Sequence, residues 1–250
     1  FRPRRLLSLS SVSKMGGCLS TIEEQLLGTS DPANANANAN AGGVVVVTGA
    51  GRLPSPVYRN IPDGAEKHPV RNVYDGDTLT LVNEKRVRFL GIDTPELKEK
   101  QPFAEEAKAY TRERCHKKDI WISYEPGHDR EDHYGRLLAW VWVPAEDGDG
   151  YLCVNEGIVQ AGLATVYIPK QSEKFRTFHK MIKMQAGARE SKRGMWESWE
   201  DYAVVKTANG SAFHVRGCRH LANIKNLTDM KASEALEEGL HPCRTCLADK

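Results

Sequence analysis

No apolar run in this 250-residue chain reaches the roughly 18–20 residues that a helix needs to cross a bilayer. No transmembrane segment is therefore expected. A strong charge of one sign is also missing: the formal net charge is +2 at pH 7, so any affinity for a polyanion must come from a local arrangement. Cysteine is sparse. The six thiols, at 18, 115, 153, 218, 243 and 246, are spread too widely for a dense disulfide framework. Three of them gather near the C-terminus with a CxxC spacing, which favours a metal over disulfides. VVVVTGAG, residues 44–51, offers a strand and a Gly-rich turn but lacks the third glycine of a dinucleotide-binding loop. Pro54 and Pro56 block a helix there, and the segment is expected as a stray strand or disordered chain. What is present, 40% hydrophobic and 27% charged residues, suits an ordinary soluble protein with one sizeable domain and a smaller one.

Residues 1–66 differ in character from the rest and are expected to be a disordered targeting or anchor segment with a low-complexity linker. Arg2, Arg4, Arg5 and Lys14 lie in a Ser-rich stretch without acids, a composition shared with organellar transit peptides. MGGCLS follows. If Met15 is the start, Gly16 fits a myristoylation pattern and Cys18 becomes a palmitoylation candidate. Two acyl chains would hold the protein on the cytoplasmic face of a membrane; otherwise the location is organellar or left open. ANANANANANAGG reads as a flexible tether.

From about residue 67 to 200 the pattern becomes dense. Strand candidates rich in Val, Ile, Trp, Tyr and Leu fall at 68–74, 78–82, 86–92, 119–124 and 136–143. Helices are expected from Pro102 with the stripe Phe103, Ala107 and Tyr110, over Asn155–Leu163, and from Ser172 with Phe175, Phe178 and Ile182 on one face. Five short strands with helices inserted late predict an α+β, mainly β, fold. Its centre is a five-stranded Greek-key barrel of the oligonucleotide-binding (OB) type with about three helices. Residues 206–250 form a separate small unit, with an Asn-Gly hairpin signal in KTANGSAFHV and a helix expected over Asp229–Leu240.

VYDGDTLTLVNEKRVRFLGIDTPE reads as one hairpin. With Glu84-Lys85 as the loop, Asp77 faces Ile92 and lies beside Asp93. Two carboxylates so close are costly unless something positive separates them. With oxygen-only ligands nearby, a hard cation, Ca²⁺ or Mg²⁺, is the natural candidate. Strand alternation places Arg88 on the face of Leu90 and Ile92, an odd place for a guanidinium. DHYGRLLAWVWV supplies a second one, Arg136, at the mouth of a very apolar strand. Each arginine alone reads as a surface residue snorkelling over the barrel; both near two metal-binding acids and a glutamate, Glu96, would make a phosphoryl-transfer site.

DGDT, VRFLGIDTPE and YGRLLAWVWV, in that order, resemble the staphylococcal nuclease (thermonuclease-like) family over roughly residues 68–199. The resemblance implies that Asp77, Asp93 and the Thr94 carbonyl hold Ca²⁺, and that Glu96 is the general base. Arg88 and Arg136 would bind and stabilise the phosphate, with Tyr134 helping to line the site. It also implies cleavage of DNA and RNA at the P–O5′ bond, leaving 3′-phosphates. The alternative is a catalytically inactive OB-fold module that binds nucleic acid or protein. The retention of Asp77, Arg88, Asp93, Glu96 and Arg136 favours the enzyme. GHDREDHYGR carries His128 and His133 around three acids; a second metal site is conceivable there, but an exposed loop beside the cleft is the expectation.

In the C-terminal unit, His214-x3-Cys218 and Cys243-x2-Cys246 match a closed tetrahedral Zn²⁺ site. His220 or His241 could replace His214. The spacing resembles the zinc domain of the Ada DNA-repair protein. A unit of this size has too little core to stand without a staple, which favours a structural metal. Arg216, Arg219 and Arg244, near the knuckle, would allow contact with nucleic acid, although solvated surface charge is their default.

Overall fold

The computed structural model describes residues 44–46, 56–146, 148–168 and 174–247. Gly16, Cys18 and the low-complexity tether lie outside the described residues. Chain order is β1 (Val44–Val46), β2 (Pro56–Tyr58), β3 (Glu66–Val73), β4 (Thr78–Leu81), β5 (Arg86–Phe89), β6 (Ile92–Asp93) and α1 (Ala104–Cys115). Then come β7 (Asp119–Ser123), β8 (Leu137–Pro144), β9 (Tyr151–Cys153), α2 (Val154–Gln160), β10 (Thr165–Val166) and α3 (Phe178–Glu190). The C-terminal part holds β11 (Ala203–Thr207), β12 (Ala212–His214), β13 (Leu227–Lys231), α4 (Ala232–Glu237) and β14 (His241–Pro242). No helix among the described residues is long and apolar enough to cross a membrane.

The barrel is mainly β and closed. Its strands run β3-β4-β5-β8-β7, and β7 returns to β3. All neighbours are antiparallel except β5 and β8, which pair Val87–Phe89 with Leu137–Ala139 in parallel. Closure leaves no free edge. Alternate residues turn Val73, Leu79, Leu81, Val87, Phe89, Ile120, Ile122 and Val141 into one core, each large side chain contributing roughly 1.5–3 kcal/mol on burial. Helices α2 and α3 pack on this cluster through Ile158, Val159, Phe178, Met181 and Ile182. β2 joins the same sheet through β9, and the Tyr58 hydroxyl bonds to buried Glu156 at 2.6 and 2.7 Å. Among the described residues, regular structure begins ahead of residue 67, with β2 and the three-residue strand β1 paired to it.

Three expectations need correction. The β4–β5 register pairs Thr78 with Arg88, so Asp77 lies opposite Phe89 rather than Ile92, and the Phe89 N–H donates to the Asp77 carbonyl at 2.8 Å. The turn is longer than two residues because Glu84 takes a left-handed conformation, φ 67°. The third helix starts at Phe178, not before Phe175. The Glu125 carboxylate accepts the Arg176 N–H at 2.9 Å, while Phe175 packs edge-on against Trp140 and Phe178; both hold that segment off the helix. The helix expected over Asp229–Leu240 shares its length with a strand. Residues 227–231 pair with Ala203–Thr207, and α4 starts only where the Asp201 carboxylate caps Ser233 at 3.0 and 2.7 Å.

The C-terminal four-stranded sheet has the order β13-β11-β12-β14. It does not hang free. Ala188 and Trp196 share a core with Val204, Phe213, Ala232 and Leu236. Gly239 comes so close to Phe178 that a Cβ there would lie 2.9 Å from its ring. Arg189 pairs with Glu237 at 2.8 Å, and His241 packs on Tyr167.

Candidate active site and Cys/His cluster

The turn Asp75-Gly76-Asp77 links β3 to β4. It is tightened by N–H donation from Tyr74 to the Thr78 carbonyl at 2.9 Å and from Asp77 to the Asp75 carboxylate at 3.2 Å. Gly76 is demanded by packing: a Cβ there would sit 2.8 Å from both the Ala107 and Thr94 side chains. Thr111 of α1 donates to the Gly76 carbonyl at 2.5 Å. The helix thus clamps the turn, and the turn aims two carboxylates into a cavity.

Three hydrogen bonds orient Asp77. Thr78 donates to Oδ1 at 3.0 Å, and the Thr94 N–H and hydroxyl both donate to Oδ2 at 3.0 Å. Gly91, at φ +77°, breaks the strand after β5, and β6 pairs Asp93 with Thr165. This bend, rather than the hairpin register, brings Asp93 back towards Asp77. It also corrects the reading of Arg88: Val87 and Phe89 point into the core, while Arg88 turns to the other face. There its guanidinium lies between the acids, 3.3 Å from Asp77 Oδ2 and 2.9 Å from Asp93 Oδ1. It also donates to the carbonyls of Phe89 and Ile92 at 2.9 and 2.8 Å. The positive charge separating the acids here is Arg88 itself.

A cavity of about 300 Å³ is lined by Asp75, Asp77, Arg88, Glu96, Tyr134 and Arg136, with Tyr74, Arg86 and Lys98 at its rim. Arg136 is aimed by Asp132, whose carboxylate accepts its Nε at 2.7 Å and its backbone N–H at 2.9 Å, and it lies 5.4 Å from the Tyr134 ring. Arg86 and Lys98 flank the Tyr74 ring at 4.9 and 5.9 Å. Tyr134 and Tyr74 are exposed, a pairing of aromatic faces and cations suited to nucleobases and phosphates.

The acids are short of positive charge. Burial and the neighbouring Asp77 push Asp75 up to about 7. Burial raises Asp93 against the opposing pull of Arg88. Burial, then the charges of Asp93 and Asp77, raise Glu96. For Arg88, burial alone would lower the pKa, but Asp77, Asp93 and Asp75 more than offset it. An oxygen-only, electron-rich donor set of this kind fits a hard divalent cation.

Sequence reasoning passed over Asp75, although an acid two residues before Asp77 across a glycine was a readable signal. It treated Arg244 as surface charge. In the structure the Arg244 guanidinium reaches Asp93 Oδ2 at 3.3 Å, and nothing in the local sequence announces that contact. Among the described residues, His128 and His133 do not gather with the intervening acids into a ligand cluster.

The parallel pairing of β12 with β14 carries His214 and Cys218 to Cys243 and Cys246, with all four ligand atoms within 4.8 Å of one another. His214 Nδ1 is buried without a hydrogen-bond partner among the described residues. The other two candidates are engaged elsewhere, His220 with Thr245 at 2.9 Å and His241 with the Pro242 carbonyl at 3.2 Å. An imidazole with an unpartnered ring nitrogen, gathered with three thiols, fits a tetrahedral metal.

The fold and site together define a closed OB-type barrel with acids and arginines converging in one cavity, a donor set able to hold phosphate groups. The family model described as staphylococcal nuclease homologue matches residues 86–198. The SPbeta prophage-derived endonuclease YokF of Bacillus subtilis is 35% identical over 144 residues, 54% of this chain and 45% of that protein. Endonuclease YncB of the same organism is 33% identical over 144 residues, covering 54% and 64%. A protein of Escherichia coli O157:H7 named uncharacterized endonuclease is 32% identical over 130 residues, covering 51% and 74%. The chain thus spans less than two thirds of the two Bacillus relatives. It belongs to the staphylococcal nuclease homologue family.

Proposed function

We propose that the protein is a metal-dependent nuclease that hydrolyses phosphodiester bonds in DNA and RNA, cleaving P–O5′ and leaving 3′-phosphates. The observation that carries this reading is the single cavity in which Asp77, Arg88, Glu96 and Arg136 meet. In it, Arg88 and Arg136 hold the phosphodiester oxygens with forked N–H donors. Their charge is worth more as negative charge builds on the pentacoordinate phosphorus. Glu96 accepts a proton from the attacking water. The water oxygen bonds to phosphorus as the P–O5′ bond breaks, and the departing O5′ takes a proton from solvent. Asp77, Asp93 and the Thr94 carbonyl would hold Ca²⁺, which supplies positive charge against the phosphodiester oxygens when bound. Tyr134 and Tyr74 offer stacking faces at the rim.

In the C-terminal unit, which resembles the Ada zinc domain in spacing, His214, Cys218, Cys243 and Cys246 would hold a structural Zn²⁺. If Met15 starts the chain, acyl groups on Gly16 and Cys18 would place the enzyme at a membrane surface.

Digestion of single-stranded DNA by the full chain with Ca²⁺, with Mg²⁺ and with chelator tests the reading. Cleavage is expected only with metal, and Glu96→Ala should lower the rate by about 10²-fold or more while remaining folded. Folded wild-type protein that binds DNA yet cuts nothing with either metal would instead make the barrel a binding module.

A further inference from the structure

Two guanidiniums hold Asp93, one on each oxygen. Arg88, from the barrel, takes Oδ1 at 2.9 Å; Arg244, from a turn 151 residues away in sequence, takes Oδ2 at 3.3 Å. The two differ in setting. The Arg88 side chain is 13% exposed, whereas that of Arg244 is 71% exposed. The backbone that carries Arg244 is nevertheless anchored. Cys243 N–H donates to the Phe213 carbonyl at 3.0 Å, and Leu247 N–H closes the turn onto the Cys243 carbonyl at 2.9 Å. The flanking residues Cys243 and Cys246 belong to the Cys/His cluster. The whole unit is docked by Gly239 on Phe178 and His241 on Tyr167.

We propose that Arg244 is a positioning residue of the active site. Delivered by the Cys/His unit, it holds the outer oxygen of Asp93 and sets how tightly the acid cluster takes a divalent cation. The inference rests on the nuclease reading for the role of Asp93 as a metal ligand. Its sign follows from Coulomb's law. A unit positive charge on a ligand carboxylate opposes a divalent cation at that carboxylate, and removing it leaves the site one unit more negative. Exposure of Arg244 weakens this through solvent screening but does not reverse it. Loss of orientation at Asp93 would act the other way, yet Arg88 still holds Oδ1. The charge effect therefore dominates. Arg244 thereby links the metal demand of the barrel to the integrity of a unit none of whose described residues lines the cavity.

The test is a calorimetric Ca²⁺ titration of the zinc-loaded full chain in the series Arg244→Lys, Arg244→Gln and Arg244→Glu, with circular dichroism and zinc content as controls. Affinity should stay near wild type for Lys and rise several-fold for Gln and further for Glu. Cys218→Ser, which releases the turn from its cluster, should match Arg244→Gln, and the double variant should shift no further than either alone. Equal affinity across the charge series, or a fall for Gln and Glu, overturns the proposal. Single-stranded DNA cleavage is followed in parallel. A wild type that shows the charge order without cutting DNA refutes the nuclease reading and leaves Arg244 standing. A wild type that cuts DNA with one Ca²⁺ midpoint across the series does the opposite. Absence of Ca²⁺ binding by the wild type removes both.

Discussion

Arg136 owes its direction to Asp132, which accepts from its backbone, from its Nε and from the Tyr134 N–H. Burial would raise the Asp132 pKa, but those donors outweigh it and hold the carboxyl below the ordinary range. The stability from this depressed value is complete above the unfolded pKa, about 4, and is lost as pH falls through the folded one. Asp132→Asn should abolish this part of the acid sensitivity, seen as a flatter stability–pH curve in urea titrations below about pH 4. The same change frees Arg136. Cleavage should slow on the order of 10-fold or more, since small misplacements of a phosphate-binding group are costly, and the fold should persist at neutral pH. A variant with wild-type rate and wild-type acid profile would show that Arg136 is aimed by something else.

At the scale of elements, the site is a product of one helix pressing on one turn. Helix α1 meets Gly76 through Ala107 and Thr111, with Thr94 closing the third side. A methyl group has no room there, and neither Ala107 nor Thr94 has a long side chain that can swing away. Gly76→Ala should cost about 1–3 kcal/mol, the usual range for overpacking. It should also move Asp75 and Asp77, so loss of cleavage should exceed what the stability loss alone explains. Thermal melting beside activity at a temperature where the variant is fully folded separates the two. An unchanged melting temperature would contradict the packing described for the turn.

At the scale of the molecule, the barrel and the C-terminal sheet share a core through Ala188, Trp196, Val204 and Phe213, and Arg244 carries the second into the site of the first. Treatment with a strong chelator should release Zn²⁺ and expose Cys218, Cys243 and Cys246 to a thiol reagent. Cys115, which burial pushes up to about 12, and buried Cys153 should stay unreactive in the folded barrel. Mass spectrometry of the labelled protein distinguishes the two groups. Labelling of the three C-terminal thiols without prior chelation would exclude a closed metal site.

Much of this was legible without coordinates, where the signal is local. Alternating β-branched residues announced the barrel strands, because period-2 burial is a property of a few adjacent residues. Asp77, Arg88, Asp93, Glu96 and Arg136 stood out because acids and arginines bordered apolar strands, and the Cys/His spacing stood out for a similar reason. What the local pattern could not decide was register and bend. The turn at Glu84 and the break at Gly91 depend on backbone conformations that competing contacts select. The same holds for Leu227–Lys231, whose pairing with Ala203–Thr207 overrides helical periodicity. The placement of Arg244 against Asp93 lies furthest from sequence logic. It exists only because two units dock, and docking is set by the summed packing of residues far apart in the chain, which no single segment encodes.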